Sequence, residues 1–190
     1  MIDSLILPFR HWSAKGSVYI ISDTHFNDCD CKVMDANWPE PDELVANINK
    51  VVHKQDSLII LGDIGDCNYV KKLRAGYKIL LLGNHDAGAS AYTEFFDEIY
   101  KEKLTITPEI IISHVPFLDP ENRWFNIHGH NHAGKSMYEG NGLNVAANVC
   151  NYTPVSLSKI IKSGALKNIK SITRTAIDSA IERKNKKEDH

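Results

Sequence analysis

Six of the nine histidines in this chain fall in four short motifs, each following an apolar run. The motifs are Asp23-Thr24-His25, Gly83-Asn84-His85-Asp86, Ser113-His114-Val115-Pro116 and His128-Gly129-His130-Asn131-His132. Gly62-Asp63 adds a carboxylate between the first two. Imidazoles, carboxylates and a side-chain amide are ligands for hard and borderline divalent ions. Their recurrence where apolar runs end predicts a metal site holding two ions. Each motif alone is weak: Asp-Thr-His reads as a turn, Gly-Asp as a cap, Gly-Asn as a common turn, and a lone His114 as structural. Five such motifs in order are improbable as independent turns.

The spacing inside the motifs adds detail. Asp23 and His25 are two apart, as are His130 and His132. Residues two apart in extended backbone point to the same side, so each pair reads as a chelate. Gly62 permits a tight exit from its strand, and Gly129 frees the backbone that presents the imidazoles. His85 can exchange a proton near neutral pH. His128 reads as support or packing, and Asp86 as a partner of its own loop.

The elements that must position these residues are also legible. Val18–Ile21, Leu58–Leu61, Ile79–Leu82 and Ile110–Ile112 read as strands, with Trp124–Ile127 and Leu143–Ala146 as weaker candidates. Their near-continuous apolar character predicts burial on both faces. Asp42 to Lys54 carries Leu44, Val45, Ile48, Val51 and Val52 near one helical stripe, with Pro41 suited to a first turn. Shorter helices are expected over 68–75 and 90–96, and another over 156–162 capped by Ser156. Ala176, Ile177, Ala180 and Ile181 suggest a last amphipathic segment, and the charged tail 183–190 is expected to fray. Strands alternating with helices predict an α/β fold, in which functional side chains gather at strand ends.

The 190 residues suit one domain spanning 1–190. A net charge of −2 with no basic stripe disfavours a nucleic-acid partner. No run has transmembrane length, and the first ten residues lack a leader pattern, so a cytoplasmic protein without a membrane partner is expected. Cys29, Cys31, Cys67 and Cys150 suggest no disulfide framework. Cys29 and Cys31 read as free thiols rather than a zinc site.

The ordered blocks D-x-H, G-D, G-N-H-[DE], H and G-H-x-H resemble the signature of the calcineurin-like metallophosphoesterase superfamily. The stretch Asn144 to Leu157, with Tyr152-Thr153-Pro154-Val155-Ser156-Leu157, is similar to the end of the catalytic domain in small bacterial and phage members. The resemblance implies a four-layer α/β/β/α sandwich of two mixed sheets flanked by helices, which periodicity alone does not predict. It implies that Asp23, His25 and His132 hold a first metal, that Asn84, His114 and His130 hold a second, and that Asp63 bridges them. His85 would stand beside the metals as general acid. The implied activity is hydrolysis of small phosphate esters, phosphodiesters first, by hydroxide activated between two divalent ions. Manganese leads the candidates, with iron, zinc, nickel and cobalt open. A homo-oligomer stays open.

Two rival readings share the resemblance: a non-catalytic scaffold for a protein partner, like the metallophosphoesterase-fold subunit of retromer, and a nuclease. Protein phosphatases of the superfamily carry arginines near the G-D and G-N-H blocks. Neither Ile64-Gly65-Asp66 nor 87–91 contains one, which argues against that class and leaves the phosphate grip unassigned. Arg74 and Arg123 are the nearest arginines and read as surface salt bridges. The chain is short for a large specificity cap, so an open site is expected.

Overall fold

The apolar runs become strands in the computed structural model, which describes residues 3–4, 16–134 and 137–170. The elements in chain order are β1 (Asp3–Ser4), β2 (Val18–Ile21), α1 (Cys31–Met34), α2 (Pro41–Val51), β3 (Ser57–Ile60) and β4 (Tyr77–Leu81). There follow β5 (Glu98–Tyr100), β6 (Leu104–Thr105), β7 (Ile110–Ile112), β8 (Phe125–His128), β9 (Tyr138–Glu139), β10 (Gly142–Asn144), β11 (Val155–Ser156) and α3 (Leu157–Lys162). They form a five-stranded sheet ordered β11-β2-β3-β4-β5 and a six-stranded sheet ordered β1-β6-β7-β8-β10-β9. Both are mixed: β2 to β5 run parallel with β11 antiparallel to β2, while β7, β8 and β10 run parallel between antiparallel neighbours β6 and β9.

Alternation along each strand explains the continuous apolar runs. Ile20, Ile59, Leu61, Ile79 and Leu81 face Ile110, Ile112, Phe125, Ile127, Leu143 and Val145 across the gap between sheets. Ile21, Leu58, Ile60 and Leu80 point the other way, beneath Leu44, Val45 and Ile48 of α2. Each fully buried side chain of this kind contributes about 1.5–3 kcal/mol. Two mixed sheets packed face to face, with flanking helices, are the α/β architecture that the resemblance implies.

Several local expectations need correction. Helix α2 starts with Pro41 in its first turn but ends at Val51, because Val52 is already extended (φ −99°, ψ 127°). The stretches expected as helices at 68–75 and 90–96 are single 3₁₀ segments, Cys67–Lys72 and Ala89–Tyr92. Asp66 caps the first by accepting from the Asn68 amide, a local bond that favours a tight turn over a longer helix. Ser156 stands at the N-cap of α3 without a side-chain cap bond. Its backbone is committed to β11, paired with Tyr19. The segment 176–181 and the tail 183–190 lie outside the described residues. No helix among the described residues is long and apolar enough to cross a membrane.

Two features of this frame position the site. Ile21, Ile60 and Leu80 are in register across β2, β3 and β4, so Asp23, Asp63 and Asn84 leave the sheet at one edge. The sheets also meet there: Ser22 bridges to Ala146, and its amide donates to the Val145 carbonyl at 2.9 Å. Histidines that follow β7 and β8 are thereby carried to the same edge.

Candidate metal centre

The loops after β2 and β3 are stitched together before any ligand is considered. The amides of Asp23, His25 and Phe26 donate to the carbonyls of Gly62, Asp63 and Ile64 at 2.9, 3.0 and 2.7 Å. This path requires left-handed backbone at Asp23 (φ 56°), His25 (φ 39°), Asp63 (φ 52°) and His130 (φ 65°). Such conformations cost energy for non-glycine residues and cluster where function demands a particular placement. The chelate reading from extended backbone is therefore corrected. Asp23 and His25 converge through a left-handed turn, whereas His130 and His132 diverge into different groups.

Two clusters result. Ligand atoms of Asp23, His25 and His132 lie within 4.8 Å of one another, and so do those of Asp63, His114 and His130. Asp63 Oδ2 stands between the clusters, 3.3 Å from His114 Nε2 and 4.0 Å from His25 Nε2. Asp23 Oδ1 is 3.4 Å from His132 Nε2. Asn84 Oδ1 lies 2.8 Å from His114 Nε2, which places this exposed amide at the second cluster.

Whether these residues fit metal ions is tested by their unused atoms. Asp23 Oδ1 and His25 Nε2 are buried without a hydrogen-bond partner, although buried polar atoms are nearly always paired. Three imidazoles are also oriented from behind. Nδ1 of His25 meets Asp28 Oδ2 at 3.1 Å, that of His114 meets the Leu61 carbonyl at 2.7 Å, and that of His132 meets Asn148 Oδ1 at 3.2 Å. With Nδ1 donating, each ring turns an Nε2 lone pair into the site, the arrangement that supports metal-bound histidine. The donor set is nitrogen and oxygen only, suited to first-row divalent ions.

The thiols stand apart from both clusters. All four cysteines are free. Cys31 is buried and donates to the His25 carbonyl at 3.3 Å, and burial pushes its pKa up to about 12. Cys29 is exposed; it shares a surface group with Asp28 and Asp30.

Around the clusters sits a rigid support. Asp86 accepts from the amides of Asp63 (2.9 Å), Gly83 (2.8 Å) and Ile64 (3.0 Å), and from the Tyr92 hydroxyl (3.3 Å). It is a structural partner of its loop, as expected. His128 is buried in β8 with Nδ1 2.9 Å from the Gly129 carbonyl and belongs to neither cluster. Trp38, Asp28 and Asn148 support the histidines without belonging to the five blocks. The Trp38 ring packs 5.9 Å from His25 and 5.8 Å from His132, between centroids. Their contacts with the histidines emerge only from the tertiary structure.

Gly129 leaves no room for a side chain beside the first cluster. A Cβ there would lie 2.0 Å from Ser22 Oγ and 2.1 Å from Asp23 Oδ2. Gly129→Ala is thus expected to displace Asp23, costing about 1–3 kcal/mol of stability and weakening metal uptake. Thermal melts with and without metal check this; an unchanged Tm in both would contradict it.

His85 occupies a different position. Its amide donates to Asp63 Oδ1 at 2.9 Å, while its ring is exposed, 6.1 Å from the His25 ring between centroids. It joins neither cluster. The two arginines are elsewhere. Arg123 Nε lies 3.5 Å from both Asp119 and Glu121; the pairing is as expected, but Nε is buried rather than at the surface. Arg74 borders α2 beside Asp42, Asn49 and Lys50, and among the described residues it makes no ion pair, contrary to expectation.

The electrostatics set a pH dependence. Burial alone would raise the Asp63 carboxyl, but hydrogen bonds from His114 and the His85 amide, with the charges of His114 and His25, outweigh it and hold the pKa below the usual 3.8. Burial opposes charging of His114 and His132, yet the close approach of His114 to Asp63 and of His132 to Asp23, with the charges of those carboxylates, outweighs it and holds both above 6.5. The depressed carboxylate contributes stability that is lost as pH falls through its folded pKa. The raised imidazoles contribute stability that is full below pH 6.5 and lost as pH rises through their folded values. Metal-free protein should therefore melt highest between about pH 4 and 6.5. Divalent metal should move that optimum upward, because metal takes deprotonated imidazole. Melts across pH with chelator or Mn²⁺ check this; identical pH profiles would contradict it.

An α/β sandwich of two mixed sheets thus carries two N/O clusters at its strand ends, with Asp63 of the second 4.0 Å from His25 of the first. The chain belongs to the calcineurin-like phosphoesterase family, whose model matches residues 16–173. It is 34% identical over 163 residues to the uncharacterized protein MJ1445 of Methanocaldococcus jannaschii, covering 76% of this chain and 89% of that one. It also resembles the crystal structure of AQ665 from Aquifex aeolicus, a protein of unknown function, with a TM-score of 0.64 and 27% identity over 78% of this chain and all of that chain (100%). Family membership implies metal-dependent hydrolysis of phosphate esters.

Proposed function

We propose that this protein is a dinuclear phosphodiesterase with His85 as its general acid. The observation that carries the reading is the pair of neighbouring clusters, with Asp23 Oδ1 and His25 Nε2 buried and without a hydrogen-bond partner. Asp23, His25 and His132 would hold one divalent ion and Asn84, His114 and His130 the other, with Asp63 between them and manganese the first candidate. Two such ions supply an activated water and offset charge developing on the phosphoryl oxygens.

The chain's own residues account for the rest. Asp86 fixes the amides on either side of Asp63, so the shared carboxylate cannot swing away. Trp38 walls the first cluster and limits motion of the His25 and His132 rings. Asn84 and His85 stand exposed on the rim, so an ester can approach without a lid opening. From that rim the His85 imidazolium can deliver its proton to the departing oxygen, after which neutral imidazole recovers a proton from solvent.

The test is turnover of bis(p-nitrophenyl) phosphate and p-nitrophenyl phosphate with saturating Mn²⁺, Ni²⁺ or Zn²⁺. Turnover that favours the diester is expected. Two bound metals without turnover of either ester would instead support the scaffold reading. Salt-dependent oligonucleotide binding with cleavage would support the nuclease reading.

A further inference from the structure

The second cluster opens onto a cleft of about 390 Å³ that the proposed chemistry does not use. Its walls include Asn84 and His114 of the second cluster together with Lys101, Lys103, Val115 and Phe117. The lysines come from the short connection between β5 and β6. Neither ammonium is paired with a carboxylate among the described residues, whereas Lys32 and Lys72 elsewhere pair with Glu40 and Asp42. Lys103 is partly buried, with Nζ held 5.1 Å from the centroid of the Phe117 ring, a contact that orients a cation without neutralising it. Glu102 also borders the cleft, leaving these three side chains with one net positive charge.

The cleft on the other side of the centre has the opposite character. It measures about 190 Å³ and is lined by His25, Asp28, Trp38 and Glu40. Its lysine, Lys32, is 3.3 Å from Glu40, so the carboxylate of Asp28 leaves that side acidic. An anion extending from the metal clusters is attracted toward Lys101 and Lys103 and repelled from the Asp28 side. This asymmetry also meets the missing arginines: positive charge reaches the site from the β5–β6 connection instead.

We propose that this cleft is a subsite for a second anionic group of the substrate, and that Lys101 and Lys103 select phosphodiesters carrying a further phosphate, such as a phosphorylated nucleotide ester. The proposal rests on the phosphodiesterase reading and names its substrate class. The volume suits a nucleotide-sized group. Val115, half exposed on the cleft wall, offers apolar surface to a sugar or base. Lysine ammonium groups serve as point charges for phosphate, without the planar fork of arginine.

The test uses Mn²⁺-loaded full-length protein and a matched pair of esters: thymidine 5′-(p-nitrophenyl phosphate) with a free 3′-hydroxyl, and the same ester carrying a 3′-phosphate. The reacting diester is identical in both. The expected result is a kcat/KM about tenfold higher for the 3′-phosphorylated ester, carried mainly by KM and shrinking as salt is raised. The double variant K101A/K103A should collapse that ratio toward one, and K101R/K103R should retain most of it. Equal kcat/KM for the two esters in the unmodified protein would overturn the proposal, as would a ratio unmoved by K101A/K103A. Calorimetric binding of thymidine 3′,5′-bisphosphate against thymidine 5′-phosphate gives a readout independent of turnover. If neither ester turns over, a binding preference lost in K101A/K103A still upholds the subsite while the phosphodiesterase reading fails. No binding preference overturns the subsite.

Discussion

Asp63→Asn should abolish measurable turnover and lower metal uptake below two equivalents. Among the described residues, Asp63 is the one carboxylate within 4.0 Å of imidazole nitrogens of both clusters, at 3.3 Å from His114 and 4.0 Å from His25. Its other oxygen receives the His85 amide at 2.9 Å. An amide in its place keeps the volume but supplies no negative charge and turns one acceptor into a donor. Loss of a supporting partner behind a ligand already costs about 10–100-fold in metal affinity, so loss of the shared carboxylate should cost at least ~100-fold. The metal-free variant should also melt lower at mildly acidic pH, where His114 loses its counter-charge. Metal analysis, calorimetric titration and melts check this. A variant that holds two metals with unimpaired turnover would remove Asp63 from the centre and overturn the dinuclear reading.

His85→Ala should show the reverse pattern: metal retained, rate lost. The side chain is exposed and lies in neither cluster, while its structural bond to Asp63 is made by the backbone amide, which alanine keeps. Stability and metal stoichiometry should therefore change little. General-acid removal costs roughly 10²–10⁴-fold in rate, and the loss should depend on the leaving group. A p-nitrophenolate leaves with little need of a proton, whereas an alkoxide needs one. Rates measured over esters of graded leaving-group pKa should give a steeper dependence for the variant. An equal loss at every leaving group would assign His85 to positioning, and an accompanying loss of metal would assign it to the centre itself.

The composition of the site was readable because its residues sit in short blocks at the ends of recognisable strands. Leu58–Leu61 followed by Gly62-Asp63, and Ile79–Leu82 followed by Gly83-Asn84-His85-Asp86, are local patterns. A buried parallel strand requires apolar side chains on both faces, and its exit turn is written in the next few residues. Helix α2 was legible for the same reason, through Pro41 and the stripe of Leu44, Val45 and Ile48. The 3₁₀ segments at Cys67–Lys72 and Ala89–Tyr92 were not, because a few residues of helical pattern do not distinguish an α-turn from a tighter one. Ser156 misled because its serine looked like a cap while its backbone was needed by β11.

Grouping was harder to read than composition. His130 and His132 look like one chelating pair in sequence, yet a left-handed residue between strand and turn sends them to different clusters. Asp28, Trp38 and Asn148 support the histidines from outside the five blocks. The two clefts differ in sign only because the β5–β6 connection folds against the loop after β7, bringing Lys101 and Lys103 beside Asn84 and His114.

By itself, the sequence determined which side-chain types the candidate site contains, their order, the strands that end beside them and the α/β class, since each depends on residues close together in the chain. The tertiary structure alone decided which ligand meets which, where Asp63 stands between them, which imidazole atoms are left free, and which side of the centre is positive. Those properties depend on the register of two sheets meeting at Ser22 and Ala146. They also depend on φ angles that a side-chain pattern does not encode.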